Sequence, residues 1–224
     1  MHRALHVARQ HERHDVQSTL DRRFDEHARN RHNVGFWLVD RLAAAHGAAL
    51  RKDSKHQALV ARIAASAGDV WLCEPQTYMN LSGRSVGGLA RFYKIEPEEI
   101  LVVHDELDFP PGTAKMKLGG GVAGHNGLKD IQAQLGTQGF WRLRIGIGHP
   151  GDRDVVADYV LNSPTPDERA LIEASVERGL EIMSLVLAGD MQGAMQRLHR
   201  AEKGEAGKGN GEAPGPNPPP GPKE

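Results

Sequence analysis

Between residues 32 and 200 the hydrophobic positions change period repeatedly, from the spacing of a helix to that of a strand and back. Residues 34–46 carry Phe36, Trp37, Leu38 and Leu42 and meet Gly47, which predicts a helix with a glycine stop. Residues 59–63 and 70–73 are short apolar runs that predict two strands joined by a turn at Gly68-Asp69. A helix capped by Asn80 or Ser82 follows to Tyr93, where Gly83, Gly87 and Gly88 argue for close packing on a sheet. Residues 100–104 predict a buried strand whose end delivers His104 and Asp105. Residues 113–118 alternate, with Ala114, Met116 and Leu118 on one face and Lys115 and Lys117 on the other. A helix over 126–135 turns Leu128, Ile131 and Leu135 inward and ends at Gly136. Residues 141–147 alternate again and set Arg142 and Arg144 against Trp141, Leu143, Ile145 and Ile147. Thr165-Pro166-Asp167-Glu168 is a capping box that starts a long helix to about Leu187. A last helix, capped by Asp190, presents Met191, Ala194, Met195 and Leu198.

Strands interleaved with helices predict an α/β single-domain sandwich with a mixed, largely parallel twisted sheet flanked by helices. Active residues then gather at strand ends and in the loops after them. The domain is expected over residues 25–200. Residues 1–24 are polar, rich in His and Arg and without a strand pattern, so an N-terminal strand is expected to be replaced by a poorly ordered or weakly helical start. Residues 201–224 are half glycine and proline, too poor in apolar surface to offset the entropy of ordering, and are expected to be disordered.

Composition narrows the class without naming a chemistry. Hydrophobic content of 39% and charged content of 25% are ordinary for a soluble globular chain. A net charge of -1 argues against a protein wrapped in nucleic acid and leaves room for a local basic patch. The single cysteine, Cys73, sits in the apolar run Val70-Trp71-Leu72-Cys73 and reads as a buried, inert thiol. No segment has the length of a membrane span or the core of a signal peptide, so a cytoplasmic protein without a membrane partner is expected.

The candidate chemistry lies in four short pieces: Arg31-His32-Asn33, Met79-Asn80, His104-Asp105 and His125-Asn126, the last within the run Gly119 to Gly124. One imidazole base, one acid to orient it and several neutral amides suit hydrolysis of an ester or amide by activated water. His32 is the favoured base, with a backbone-contacting histidine at a helix start as the competing explanation. Asp105 would fix an imidazole tautomer, against an acidic loop or a Mg²⁺ cluster. Asn80 and Asn126 would steady a carbonyl or oxyanion, against simple helix caps. Lys115, Lys117, Arg142 and Arg144 suit phosphate contact, against a solvated face. The histidines lack metal-ligand spacing and no Gly-x-Ser-x-Gly elbow occurs, so neither a metal nor a serine nucleophile is expected.

Six words in order resemble the bacterial-type peptidyl-tRNA hydrolase family over roughly residues 25–200. They are Asn30-Arg31-His32-Asn33-Val34-Gly35, Pro75-Gln76-Thr77-Tyr78-Met79-Asn80-Leu81-Ser82-Gly83, His104-Asp105-Glu106-Leu107-Asp108, Lys115-Met116-Lys117-Leu118-Gly119-Gly120-Gly121, Gly124-His125-Asn126-Gly127-Leu128-Lys129-Asp130 and Arg142-Leu143-Arg144-Ile145-Gly146-Ile147-Gly148-His149-Pro150-Gly151. The resemblance implies a monomer without metal or cofactor that frees tRNA from prematurely released peptidyl-tRNA. It implies His32 as general base, held by Asp105. Tyr78, Asn80 and Asn126, with His125 beside them, would meet the peptidyl-tRNA end, and Lys115, Lys117 and Arg144 the tRNA phosphates. The front departs from the pattern. The family begins with an apolar strand and an Asn-Pro-Gly-like turn, whereas here Arg22 falls at the family asparagine and His27 at its tyrosine. Two alternatives follow: an RNA-binding relative whose hydrolysis is impaired by the lost strand, and a metal-dependent hydrolase using His32, Asp105 and His125.

Overall fold

In the computed structural model the backbone is described for residues 2–7 and 30–208, and side chains for residues 30–202. Seven strands form one mixed sheet: β1 (His2–Val7), β2 (Arg51–Asp53), β3 (Ala58–Ala65), β4 (Gly68–Pro75), β5 (Ile100–Glu106), β6 (Ala114–Leu118) and β7 (Trp141–Gly146), in the order β2-β3-β4-β1-β5-β7-β6. The strands β4, β1, β5 and β7 run parallel to one another. Antiparallel pairing closes both sides, with β2 and β3 on one and β6 on the other. The sheet is therefore less parallel than expected: a two-residue turn joins β3 to β4, and β6 reaches β7 antiparallel through the connection that carries the helix Asn126–Leu135.

The helices are α1 (Val34–Ala45), α2 (Ser82–Tyr93), α3 (Asn126–Leu135), α4 (Val156–Leu161), α5 (Pro166–Glu181), α6 (Met183–Ala188) and α7 (Met191–Lys208). They cover both faces. Leu101 and Val103 of β5 with Leu143 and Ile145 of β7 pack against α1, α5, α6 and α7. Ile100 and Val102 point the other way, into α2 and α3. Every residue of β5 is buried, as a strand covered on both faces by helices requires. Cys73 is 1% exposed, and burial, then the Glu74 and Asp53 charges, push its thiol up, in keeping with an inert core residue.

Several expectations need correction. The front of the chain is not without a strand: His2–Val7 fills the centre of the sheet, in register with both β4 and β5. A ladder is built from backbone groups, which a polar sequence supplies as well as an apolar one. Residues 8–29, including Arg22 and His27, lie outside the described residues. The long helix over 166–187 is two helices meeting at Ile182. Ile182 is at once the last cap of the first helix and the first cap of the second, and its backbone, at φ −90° and ψ −7°, departs from regular α-helix geometry. The turn between β3 and β4 falls at Ser66-Ala67, since Ala65 pairs with Gly68. Leu118, placed inward by alternation, is 48% exposed at the end of an outer strand. Gly83 packs on α3 rather than on the sheet: a Cβ there would lie 2.3 Å from the Asp130 carbonyl oxygen.

The last helix passes the expected boundary at residue 200 and continues to Lys208, while residues 209–224 lie outside the described residues. Ala201, Glu202 and Lys203 favour helix. Glu202 and His199 also accept hydrogen bonds from the backbone N–H groups of Ala114 and Met116. The outer edge of β6 thus finds partners in α7 side chains instead of remaining open.

Candidate active site

Position 32 lies in the single turn Arg31–Asn33 that leads into α1, and Asp105 lies near the C-terminal end of β5. The sheet and α1 bring the two together although 73 positions separate them: His32 Nδ1 and Asp105 Oδ1 are 2.8 Å apart. His125, from the loop before α3, places Nε2 3.2 Å from the same oxygen. Its ring centre is 5.1 Å from that of His32 and 5.2 Å from that of His104. Three imidazoles surround one buried carboxylate.

Electrostatics fixes who donates to whom. Burial would raise the Asp105 carboxyl, but the charges and hydrogen bonds of His32 and His125 outweigh it and hold the group well below the usual carboxylate range. An ionised carboxylate only accepts, so His32 donates through Nδ1 and keeps the lone pair on Nε2. His125 donates through Nε2 while its Nδ1 accepts from the Leu128 backbone N–H at 3.3 Å. His104 donates through Nδ1 to the Asp105 carbonyl oxygen at 2.6 Å. Its burial, reinforced by the nearby His125 charge and opposed by Asp105, pushes it down to about 3, so it is neutral in the folded protein.

Asn80 is exposed in the single turn Met79–Leu81, with half-buried Tyr78 before it. Asn126 is exposed at the first position of α3 and borders an open hollow of about 690 Å³ with Gly124 and Lys129. Neither amide acts as a helix cap: Leu81 precedes α2 without a side-chain cap, and His125 takes that place at α3. The capping explanation for both therefore fails. α3 packs against the Met79–Leu81 turn, which sets the two amides on adjoining elements. Gly83 tightens the junction, its N–H donating to Asp130 Oδ2 at 2.7 Å.

The cations occupy one sheet face across β6 and β7, where Lys115 faces Arg144 and Lys117 faces Arg142. They are not equivalent. Lys115 is exposed. Lys117 is half-buried, and burial, then Arg144 and Arg142, pull its ammonium below the ordinary value. Arg144 pairs with Glu106 Oε2 at 2.8 Å and lies over the Phe109 ring. Arg142 is 1% exposed and donates to the Gly121 carbonyl at 2.6 Å, so it supports the glycine run instead of forming a solvated face. Arg144 is level with His104 across the β5–β7 pair, and Lys115 is one strand further out. At about 4.8 Å per strand, the backbone of Arg144 lies about 5 Å and that of Lys115 about 10 Å from the strand that carries His104.

Arg31 had no assigned role from the sequence. It is 5% exposed and bonded to four acceptors in α4, α5 and their junction. Its neighbourhood to His32 was the only sequence signal. The nitrogen and oxygen atoms of His32, Asp105 and His125 all lie within 4.8 Å of one another, a set that could also hold a divalent ion. In the present arrangement the same atoms satisfy each other by hydrogen bonds.

The family description "Peptidyl-tRNA hydrolase" matches residues 23–206. The peptidyl-tRNA hydrolase of Nitrosospira multiformis is 55% identical over 174 residues, covering 78% of this chain and 91% of that protein. The peptidyl-tRNA hydrolase of Nitrosomonas europaea is 51% identical over 179 residues, covering 80% and 92%. The crystal structure of peptidyl-tRNA hydrolase from Acinetobacter baumannii superposes with a TM-score of 0.77 at 39% identity, covering 87% of this chain and 93% of that one.

Proposed function

The chain belongs to the peptidyl-tRNA hydrolase family, and on that footing we propose that it hydrolyses the ester between tRNA and a peptide or N-blocked aminoacyl group. The product tRNA returns to translation. The observation that carries the mechanism is the 2.8 Å contact of His32 Nδ1 with an ionised Asp105, which leaves the Nε2 lone pair to act as the base. His32 takes a proton from water as the oxygen attacks the ester carbonyl. Asp105 holds the ring in this tautomer and stabilises the imidazolium that forms.

Asn80 and Asn126, free of capping duty, donate to the developing oxyanion, with Tyr78 and His125 bordering the bound end. His27 would join them, but lies outside the described residues. Lys115, Lys117 and Arg144 receive tRNA phosphates. The alternative, a binding protein with impaired hydrolysis, rests on a missing first strand and a missing Asn-Pro-Gly turn; the strand His2–Val7 speaks against the first ground, and the turn is absent from the sequence.

A metal-assisted reading is favoured by one observation, the compact His32, Asp105 and His125 set. One assay separates the two: release of an N-acetyl-aminoacyl group from tRNA, with and without a chelator, for this chain and His32→Ala. Turnover should survive chelation and fall about 10²–10⁴-fold in the variant. Turnover abolished by the chelator and restored by a divalent ion would transfer the role of these residues to metal binding. Among the described residues no helix is long and apolar enough to cross a membrane.

A further inference from the structure

We infer that Arg31 is a positioning residue, whose guanidinium clamps the Arg31–Asn33 turn to the α4–α5 junction and so fixes His32 against Asp105. The inference rests on the hydrolase reading above and adds a residue to it.

Arg31 Nη1 donates to the carbonyl oxygens of Tyr159, Asn162 and Ser163 at 3.1, 3.1 and 3.2 Å. These groups stand at and just beyond the end of α4, where the helix dipole favours a cation, and the Arg31 backbone N–H donates to the Asn162 carbonyl as well. Nη2 donates to Glu168 Oε2 at 2.7 Å. Glu168 is itself fixed, because it completes the capping box of α5 with Thr165. The guanidinium carbon lies 4.1 Å from the centre of the Tyr159 ring, and the Tyr159 hydroxyl donates to the Ile147 carbonyl just beyond β7. One side chain thus joins the turn to α4, α5 and the end of β7.

The next residue is His32. Adjacent Cα atoms are about 3.8 Å apart across a rigid peptide, so a shift of the Arg31 backbone passes almost whole to the imidazole. Catalytic geometry tolerates about 0.5 Å. A buried guanidinium is a costly anchor, and an apolar side chain of equal volume packed on Tyr159 would hold the turn at least as firmly. What the apolar residue would not supply is direction. A planar fork addressing four fixed acceptors sets both the place and the angle of the turn. Lysine keeps the charge and lacks the fork.

The test uses the full chain as Arg31→Lys, Glu168→Gln and Arg31→Ala, with N-acetyl-aminoacyl-tRNA as substrate. Thermal melts establish the folded fraction. In Arg31→Lys, kcat should fall about 10–100-fold while KM stays within about twofold, the pattern of a lost alignment rather than lost binding. Glu168→Gln, which retains the capping box, should show a smaller fall of the same kind. Free guanidinium should restore part of the activity of Arg31→Ala, and ammonium should not. Independently of turnover, the downfield proton resonance of the His32 Nδ1–H bonded to Asp105 should move upfield or broaden in Arg31→Lys. An unchanged kcat with an unchanged resonance overturns the proposal. So does a loss that follows the unfolded fraction and resists guanidinium. If the unaltered chain releases no aminoacyl group, the hydrolase reading falls, and the resonance alone decides the clamp.

Discussion

His104 and Asp105 are adjacent in β5 yet titrate in opposite senses of usefulness, one kept neutral and the other kept charged. His104 is depressed to about 3 in the folded protein, whereas an unfolded histidine titrates near 6.5. Its contribution to stability is therefore complete above about pH 6.5 and is lost as the pH falls toward 3, because only the unfolded chain takes up the proton in that window. Asp105, also depressed, contributes above the ordinary carboxylate range and loses that contribution at still lower pH. His104→Asn should therefore reduce the slope of unfolding free energy against pH by up to about 1.4 kcal/mol per unit between pH 6 and 4, as measured by urea titrations. An unchanged slope would show that His104 is accessible to protons when folded. The sequence made His32 and Asp105 visible because the chemistry requires those side-chain types. It did not expose the duties of Arg31 and His104, which depend on the acceptors and burial that the fold supplies.

The packing of α2 on α3 sets the distance between the two candidate amides, since Asn80 precedes one helix and Asn126 opens the other. Gly83 is the contact that permits it. A Cβ at this position would lie 2.3 Å from the Asp130 oxygen and 2.7 Å from the Ile131 nitrogen, both backbone atoms that cannot turn aside. Gly83→Ala should cost about 1–3 kcal/mol, measured as a lowered urea midpoint with an unchanged m-value. It should also lower kcat and kcat/KM together, because the helices separate at the end that carries Asn80 and Asn126 and the oxyanion contacts weaken. Gly88→Ala provides the contrast: its nearest atom would be a His56 side-chain carbon at 3.3 Å, so a smaller loss is expected. Hydrophobic period located these helices to within a few residues, since burial on one face imposes it. The same signal gave no hint of β1, because His2, Arg3 and His6 interrupt any apolar run over residues 2–7. Nor could it reveal that Gly83 and Gly87 of α2 meet α3 rather than the sheet, which is a matter of tertiary approach.

Taken across the whole chain, a net charge of -1 provides no general attraction for tRNA, so recognition must come from charge concentrated locally. The row on β6 and β7 is such a concentration, but its members are differently committed. Arg142 is spent on the Gly121 carbonyl and Arg144 is paired with Glu106. Lys115 is exposed at an outer strand and stands over the Phe109 ring. A phosphate contact releases about one counterion, so each lost contact lowers the slope of log affinity against log salt by about one. Lys115→Ala should therefore weaken tRNA binding and lower that slope by about one, with kcat unchanged, as read by titration across a salt series. Arg144→Ala should behave differently. Removing it leaves the Glu106 carboxylate, 7% exposed, beside the phosphate path, adding repulsion to the lost contact. Its loss of affinity should accordingly exceed that of Lys115→Ala, and Glu106→Gln in the same chain should recover part of the difference. Equal losses in the two single variants, with no recovery, would place the phosphates away from β7 and leave the outer strand as the contact.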